Sequence, residues 1–192
     1  MASPPQSQKS FWRESAELML GALLLAMVGR GAIAETRYIP SASMQPTLEI
    51  QDKLVIEKLS DHVGLLNRGD IVVFYMPSMP APGRFKQTLR QFSLTTEIPL
   101  IKRVIGLPGE TIAVQDNQVM INGQALSEDY LKAAPVYDMP ALKIPEGHVF
   151  VMGDNRNNSA DSHIWGTLPI ENITGKALLR FWPPERMGFL QD

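Results

Sequence analysis

The stretch "ETIAVQDNQVMINGQAL", Glu110–Leu126, decides the fold class. It holds two short β-branched runs on either side of Asp116-Asn117, and Asn122-Gly123 follows as a second tight turn. Such dipeptides accept the left-handed backbone of a two-residue hairpin, so the stretch reads as strands folded back on one another. Working outward, "KLVIE" (Lys53–Glu57), "DIVVFY" (Asp70–Tyr75), "LIKRVIG" (Leu100–Gly106), "HVFVMGD" (His148–Asp154) and "ITGKALLRFWP" (Ile173–Pro183) are further strand runs. Fifteen Pro and 14 Gly in 192 residues favour strands joined by turns over long helices. Residues 77–99 form a Pro-rich, partly basic excursion read as a loop with room for a short amphipathic helix, and residues 127–146 read as irregular. The expectation is a mainly β domain with one sizeable core and a small second domain.

Composition removes several function classes. The formal net charge is −2, which gives no field for nucleic acid. With no cysteine there are no disulfides, thiolate metal sites or cysteine nucleophiles. The three histidines, His62, His148 and His163, show no metal-ligand spacing, so neither metal nor cofactor is expected.

The most apolar segment lies near the N-terminus, from Ala16 to Ala34, interrupted only by Glu17 and Arg30. A membrane span needs about 20 largely apolar residues, so this one suffices, with Arg30 close enough to one end to snorkel. Lys9 and Arg13 precede it, which places the N-terminus in the cytoplasm and the remainder outside. The reading is a cytoplasmic tail (1–14), a transmembrane anchor (15–34) and an extracytoplasmic domain in contact with the lipid bilayer. Two others compete: a cleavable signal ending at the A-x-A of Ala32–Ala34, and a core helix.

Three stretches carry chemistry. In "PSASMQPTL" (Pro40–Leu48), Ser41 and Ser43 stand two apart between prolines, and in an extended backbone they share a face. A serine nucleophile needs a base. Along "LIKRVIG", Leu100, Lys102 and Val104 share one face, so Lys102 has apolar neighbours on both sides. Covered, it would lose its proton easily. The competing reading is a lysine on a solvent-facing edge, which the adjacent Arg103 suits because one of the pair must face outward. "GDNRNNSADSHIWG" (Gly153–Gly166) is dense in Asx and Ser side chains, which also suits a self-bonded turn. It fails as a calcium loop, with Arg156 at the third ligand position and Trp165 where a bidentate Glu belongs.

Together, "PSASMQPTL", "IKRVIGLPGE" and "GDNRNNSADSHIWG", with "RGDIVVF" between the first two, closely resemble the boxes of bacterial-type signal peptidase I, in order and spacing, over nearly all of residues 35–183. The resemblance implies a membrane-bound Ser/Lys-dyad serine endopeptidase that removes signal peptides from exported preproteins after an A-x-A site. Ser43 would be the nucleophile, Lys102 the general base and Ser159 the residue orienting the lysine. Ser41 and the Ser43 N–H would form the oxyanion hole. Asp154, Arg156 and Asp161 would tie the loop to the catalytic strands. Ile39, Pro40, Met44, Leu48, Leu54, Leu100 and Ile101 would line shallow apolar pockets for small residues, with the substrate as an extended strand. It also implies a signal-peptidase-type β catalytic core (35–106 and 147–192) with a minimal β-hairpin cap (107–146), and an apolar membrane-facing rim for which Phe74, Tyr75 and residues of the 77–99 excursion are candidates.

His163 stands where many members of that family carry Arg, a departure similar to the cyanobacterial and plastid branch. It also opens a Ser43–His163–Asp161 triad as a rival to the dyad. From a different class, a non-catalytic membrane-anchored β-domain that binds exported chains shares the same anchor and strands. The intact Ser43, Lys102 and Ser159 argue for the enzyme.

Overall fold

The computed structural model describes residues 13–22, 34–58, 66–77 and 97–190. Most of the expected tail, the second half of the expected anchor and nearly all of the 77–99 excursion lie outside them. Residues 13–22 are helical. Among the described residues no helix is long and apolar enough to cross a membrane.

The strands are β1 (Ala34–Tyr38), β2 (Lys53–Glu57), β3 (Ile71–Phe74), β4 (Leu100–Gly106), β5 (Thr111–Gln115), β6 (Gln118–Ile121), β7 (Gln124–Ala125), β8 (Met139–Lys143), β9 (His148–Met152), β10 (Leu168–Pro169), β11 (Ile173–Trp182) and β12 (Gly188–Phe189). The chain is mainly β, as the sequence implies. Asp116 and Asn117 turn β5 into β6 with φ of 50° and 60°, and Asn122-Gly123 turns β6 into β7 with φ of 51° and 80°.

An eight-stranded sheet runs β1-β2-β11-β3-β4-β9-β10, with β12 paired to β11. Its central strands are covered on both faces. Ile71 and Val73 of β3 pack with Ile39, Met44, Leu48, Leu54, Ile56 and Ala177, whereas Val72 and Phe74 pack with Val104, Val149, Val151 and Leu168. A four-stranded sheet, β7-β6-β5-β8, follows β4, and is larger than the hairpin expected of the cap. Its core of Ile112, Val114, Val119, Ile121 and Ile144 is shared with Ile105, Phe150 and Met152 of the main sheet.

This packing positions the turn that bears Ser43. Met44 and Leu48 are fully buried beneath it. From the side, the Thr47 carbonyl oxygen accepts from Arg180 Nη1 at 2.7 Å and Arg186 Nη2 at 3.3 Å. Asp52, also buried, accepts from Glu49 N at 2.8 Å and Arg186 Nη1 at 3.2 Å.

Phe74 and Tyr75 do not form an outer rim: β3 lies inside the sheet and both are buried. Among the described residues the exposed large aromatic side chains are instead Tyr38, Trp182 and Phe189. Tyr38 and Trp182 both pair in register with Lys53, whose Nζ lies 5.6 Å from the centre of the Trp182 ring.

Gly175 sits in β11 between β2 and β3, where a Cβ would collide with the Glu57 carbonyl oxygen and Ile56 Cγ2. Backbone cannot yield as a flexible side chain does, so Gly175→Ala is expected to destabilise the domain by about 1–3 kcal/mol. A urea or thermal melt checks this, and an unchanged midpoint would refute the close approach.

Candidate active site

Ser43 lies in a single 3-10 turn, Ala42–Met44, and not in the extended segment expected from its prolines; the residues flanking the turn, Ser41 with φ −137° and ψ 160° and Gln45 with φ −66° and ψ 142°, are extended. The turn nevertheless brings the two hydroxyls together, with Ser41 Oγ and Ser43 Oγ 3.3 Å apart. Ser41 is exposed while Ser43 is buried, so the pair spans the boundary between solvent and core.

Lys102 lies in β4 opposite Val72, with Leu100 and Val104 on either side along its own face. Its Nζ donates to Ser43 Oγ at 2.7 Å and to the Ile101 carbonyl oxygen at 2.9 Å. Among the described residues it forms no ion pair. Burial pushes its pKa down to about 8, against the weaker upward pull of Asp161 and Asp154. The solvent-edge reading thus fails, and with it the premise that one of the two adjacent cations must face outward. Lys102 is 4 % exposed and Arg103 is 7 % exposed. Arg103 is the one that is neutralised: its Nε and Nη2 grip Asp154 at 2.9 and 2.7 Å.

The loop after β9 supplies the rest. Asp154, wholly buried, also accepts from Thr47 Oγ1 at 2.5 Å, so it ties the loop to β4 and to the Ser43 turn. Asn155 N donates to the Ser43 carbonyl oxygen at 3.0 Å, and Asn155 Nδ2 to the Ala42 carbonyl oxygen at 3.1 Å. A Cβ at Gly153 would strike both the Ser43 carbonyl oxygen and Ser159 Oγ, so Gly153 brings Ser159 close to the Ser43 backbone. The hydrogen bond expected from Ser159 to Lys102 is not formed; Ser159 Oγ is buried without a partner, and the amine engages Ser43 and Ile101.

Asp161 folds the loop on itself, accepting from Gly153 N at 2.8 Å and holding His163 Nδ1 at 2.7 Å. The His163 ring stacks on Tyr137, with centroids 4.3 Å apart. The hydrogen-bond partners of Ser43 Oγ are Lys102 and Ser41, not His163, so the rival triad is not assembled.

Arg156 does not tie the loop to the catalytic strands. Its guanidinium meets Glu128, in the segment between β7 and β8, through two 2.7 Å bonds, and its Nε donates to the Gly153 carbonyl oxygen at 3.1 Å. Sequence reasoning missed Glu128, Tyr130 and Tyr137, and no local signal marks them, because they gain meaning only from partners distant in the chain. Of the expected pocket residues, Ile39, Met44, Leu48 and Leu54 are core side chains; Pro40, Leu100 and Ile101 retain surface to offer.

Comparison with known proteins shows the family. Residues 12–182 match the family described as "Signal peptidase, peptidase S26". The chain is 47% identical over 188 residues to "Probable signal peptidase I-1" of Synechocystis sp., covering 98% of this chain and 91% of that protein. It is 48% identical over 168 residues to "Signal peptidase I" of Leptolyngbya laminosa, covering 88% and 78%. It is 36% identical over 175 residues to "Probable thylakoidal processing peptidase 2, chloroplastic" of Arabidopsis thaliana, covering 91% of this chain and 45% of that protein. The chain belongs to the signal peptidase family, on its cyanobacterial and plastid side, and is a signal peptidase I-type enzyme.

The buried amine has a stability consequence. Its folded pKa, about 8, lies below the ordinary lysine value of 10.5. The folded state therefore holds fewer protons between these values, and stability rises with pH across that window. Lys102→Met should raise stability at pH 7 by about 1–3 kcal/mol, and the gain should shrink above pH 8. Melts at pH 7 and pH 10 check this; an equal gain at both would refute it.

Proposed function

We propose that this signal peptidase family member is a membrane-bound serine endopeptidase that cleaves signal peptides from exported preproteins after an A-x-A-type site, using Ser43 and Lys102 as a dyad. The observation that carries the reading is the 2.7 Å contact between Lys102 Nζ and Ser43 Oγ in a site where the lysine has no carboxylate partner among the described residues. With a pKa of about 8, about one Lys102 in ten is neutral at pH 7. In that form the hydrogen bond reverses, and the Ser43 hydroxyl donates to the amine lone pair.

Oγ then attacks the scissile carbonyl while Nζ takes its proton. The ammonium gives that proton to the leaving amine, leaving an ester on Ser43. Nζ next deprotonates the water that hydrolyses the ester. Ser41 Oγ and the Ser43 N–H stabilise the oxyanion. An ammonium has three N–H groups; two meet Ser43 and Ile101, and Ser159 Oγ, buried and unpartnered in the structure, would take the third in the reacting complex.

The substrate lies as an extended strand against Pro40, Leu100 and Ile101, with Ile39, Met44, Leu48 and Leu54 as the floor that limits pocket depth. Residues 15–34 anchor the chain as a single span with the N-terminus cytoplasmic. The catalytic core, 35–106 and 147–192, and the cap, 107–146, work on the extracytoplasmic face. Tyr38 and Trp182, beside Lys53, suit the lipid interface better than any interior strand.

Detergent-solubilised protein given a preprotein with an A-x-A site tests the dyad. Ser43→Ala and Lys102→Ala should be inactive and His163→Ala active, with the wild-type rate rising through about pH 8 to a plateau. An active Lys102→Ala with a dead His163→Ala would sink the dyad; no cleavage by wild type would favour a binding domain. Ser41→Ala should lower kcat by ~10²–10³ with little change in KM. A rise in KM alone would instead make Ser41 a substrate contact.

A further inference from the structure

A buried ion pair joins the cap to the catalytic loop. Arg156 is 1 % exposed, and both of its terminal nitrogens meet Glu128. Its Nε holds the carbonyl oxygen of Gly153, the residue packed against the Ser43 carbonyl oxygen and Ser159 Oγ. Glu128 has a second attachment, since Tyr130 Oη donates to Glu128 Oε1 at 2.5 Å. The Tyr130 ring then lies 4.1 Å from the guanidinium of Arg103, the neighbour of Lys102. One cap carboxylate thus reaches both members of the dyad, Ser43 through Arg156 and Gly153, and Lys102 through Tyr130 and Arg103.

An ordinary domain contact would need none of this. A buried ion pair stabilises no better than apolar side chains of the same volume, so its distinguishing property is direction. The planar fork of Arg156 is fixed on two sides by Glu128 and on the third by Gly153.

We infer that Glu128 and Tyr130 are positioning residues for the reaction, holding the Gly153 backbone and Arg103 so that Ser43 and Lys102 stay in register. This rests on the dyad reading above.

The test uses full-length protein in detergent, with kcat, KM and Tm measured on an A-x-A preprotein. Three variants are compared: Glu128→Gln, Tyr130→Phe, and the double change Glu128→Leu with Arg156→Met. Glu128→Gln should lower kcat about 10-fold to 100-fold with KM within about twofold. Tyr130→Phe, which keeps the ring and loses the donor, should lower kcat several-fold. The double variant, an apolar replacement of the pair, should return Tm towards wild type while kcat stays depressed. Recovery of kcat together with Tm would make the pair structural only and overturn the inference, as would an unchanged kcat in Glu128→Gln. If Glu128→Gln and the double variant do not fold, Tyr130→Phe decides, and an unchanged kcat there overturns it. Turnover by Ser43→Ala or Lys102→Ala would instead overturn the dyad itself, a separate result.

Discussion

Everything in the site depends on how one strand accommodates two adjacent cations that are both buried. Lys102 and Arg103 point to opposite sides of β4, and both sides are covered. Of the two wholly buried carboxylates nearby, Asp154 is spent on Arg103 and Thr47, and Asp161 on Gly153 N and His163. Lys102 is left with a hydroxyl and a carbonyl oxygen. An ammonium so placed is poorly compensated, and the cheapest remedy is to lose its proton. The guanidinium cannot lose one, which is why the two residues cannot exchange places. The nearby negative charges of Asp161 and Asp154 keep the lysine from going further, holding it at about 8.

The loop Gly153–Gly166 is the frame around that choice. Most of its carboxylates and amides have named partners: Asp154 with β4, Asn155 with the Ser43 turn, Asp161 with Gly153 and His163, and Asn157, at the surface, with the backbone of Ala134 and Val136. What reads as a polar surface loop has a buried spine of Gly153, Asp154, Arg156, Asp161 and Ser162, with Asn157 and Asn158 left at the surface. Glycine at 153 is required by close approach, since any side chain there would push the Ser43 carbonyl away.

Much of this was legible where the signal is local. Asp116-Asn117 and Asn122-Gly123 fix the cap turns through their own backbone preferences, and β2 and β4 follow from short β-branched runs. The roles suggested for Ser43 and Lys102 came from boxes a few residues long. Legibility failed where partners are remote or patterns contrary. β8 contains Pro140 and is an edge strand, where proline is tolerated but strand character is hidden. β10 and β12 are two residues each. The geometry of Ser41 and Ser43 was expected to be extended because prolines favour it, yet burial of Met44 and Leu48 winds the turn. Glu128 looked like one more charge in an irregular stretch, because nothing near it in sequence names Arg156.

The position of β11 in the main sheet has a consequence for the order of assembly. β11 is the last long strand of the chain, but it lies between β2 and β3, and its Arg180 holds the Thr47 carbonyl oxygen. Ser43 is made early and Lys102 in mid-chain, but the halves of the sheet that carry them are joined only when residues 173–182 arrive. A chain lacking that strand keeps the loop contacts of Asp154 and Asn155 to the Ser43 turn but loses the sheet and the Arg180 contact that support the turn from behind. The alignment of Ser43 with Lys102 therefore waits on a strand that is made well after both of them.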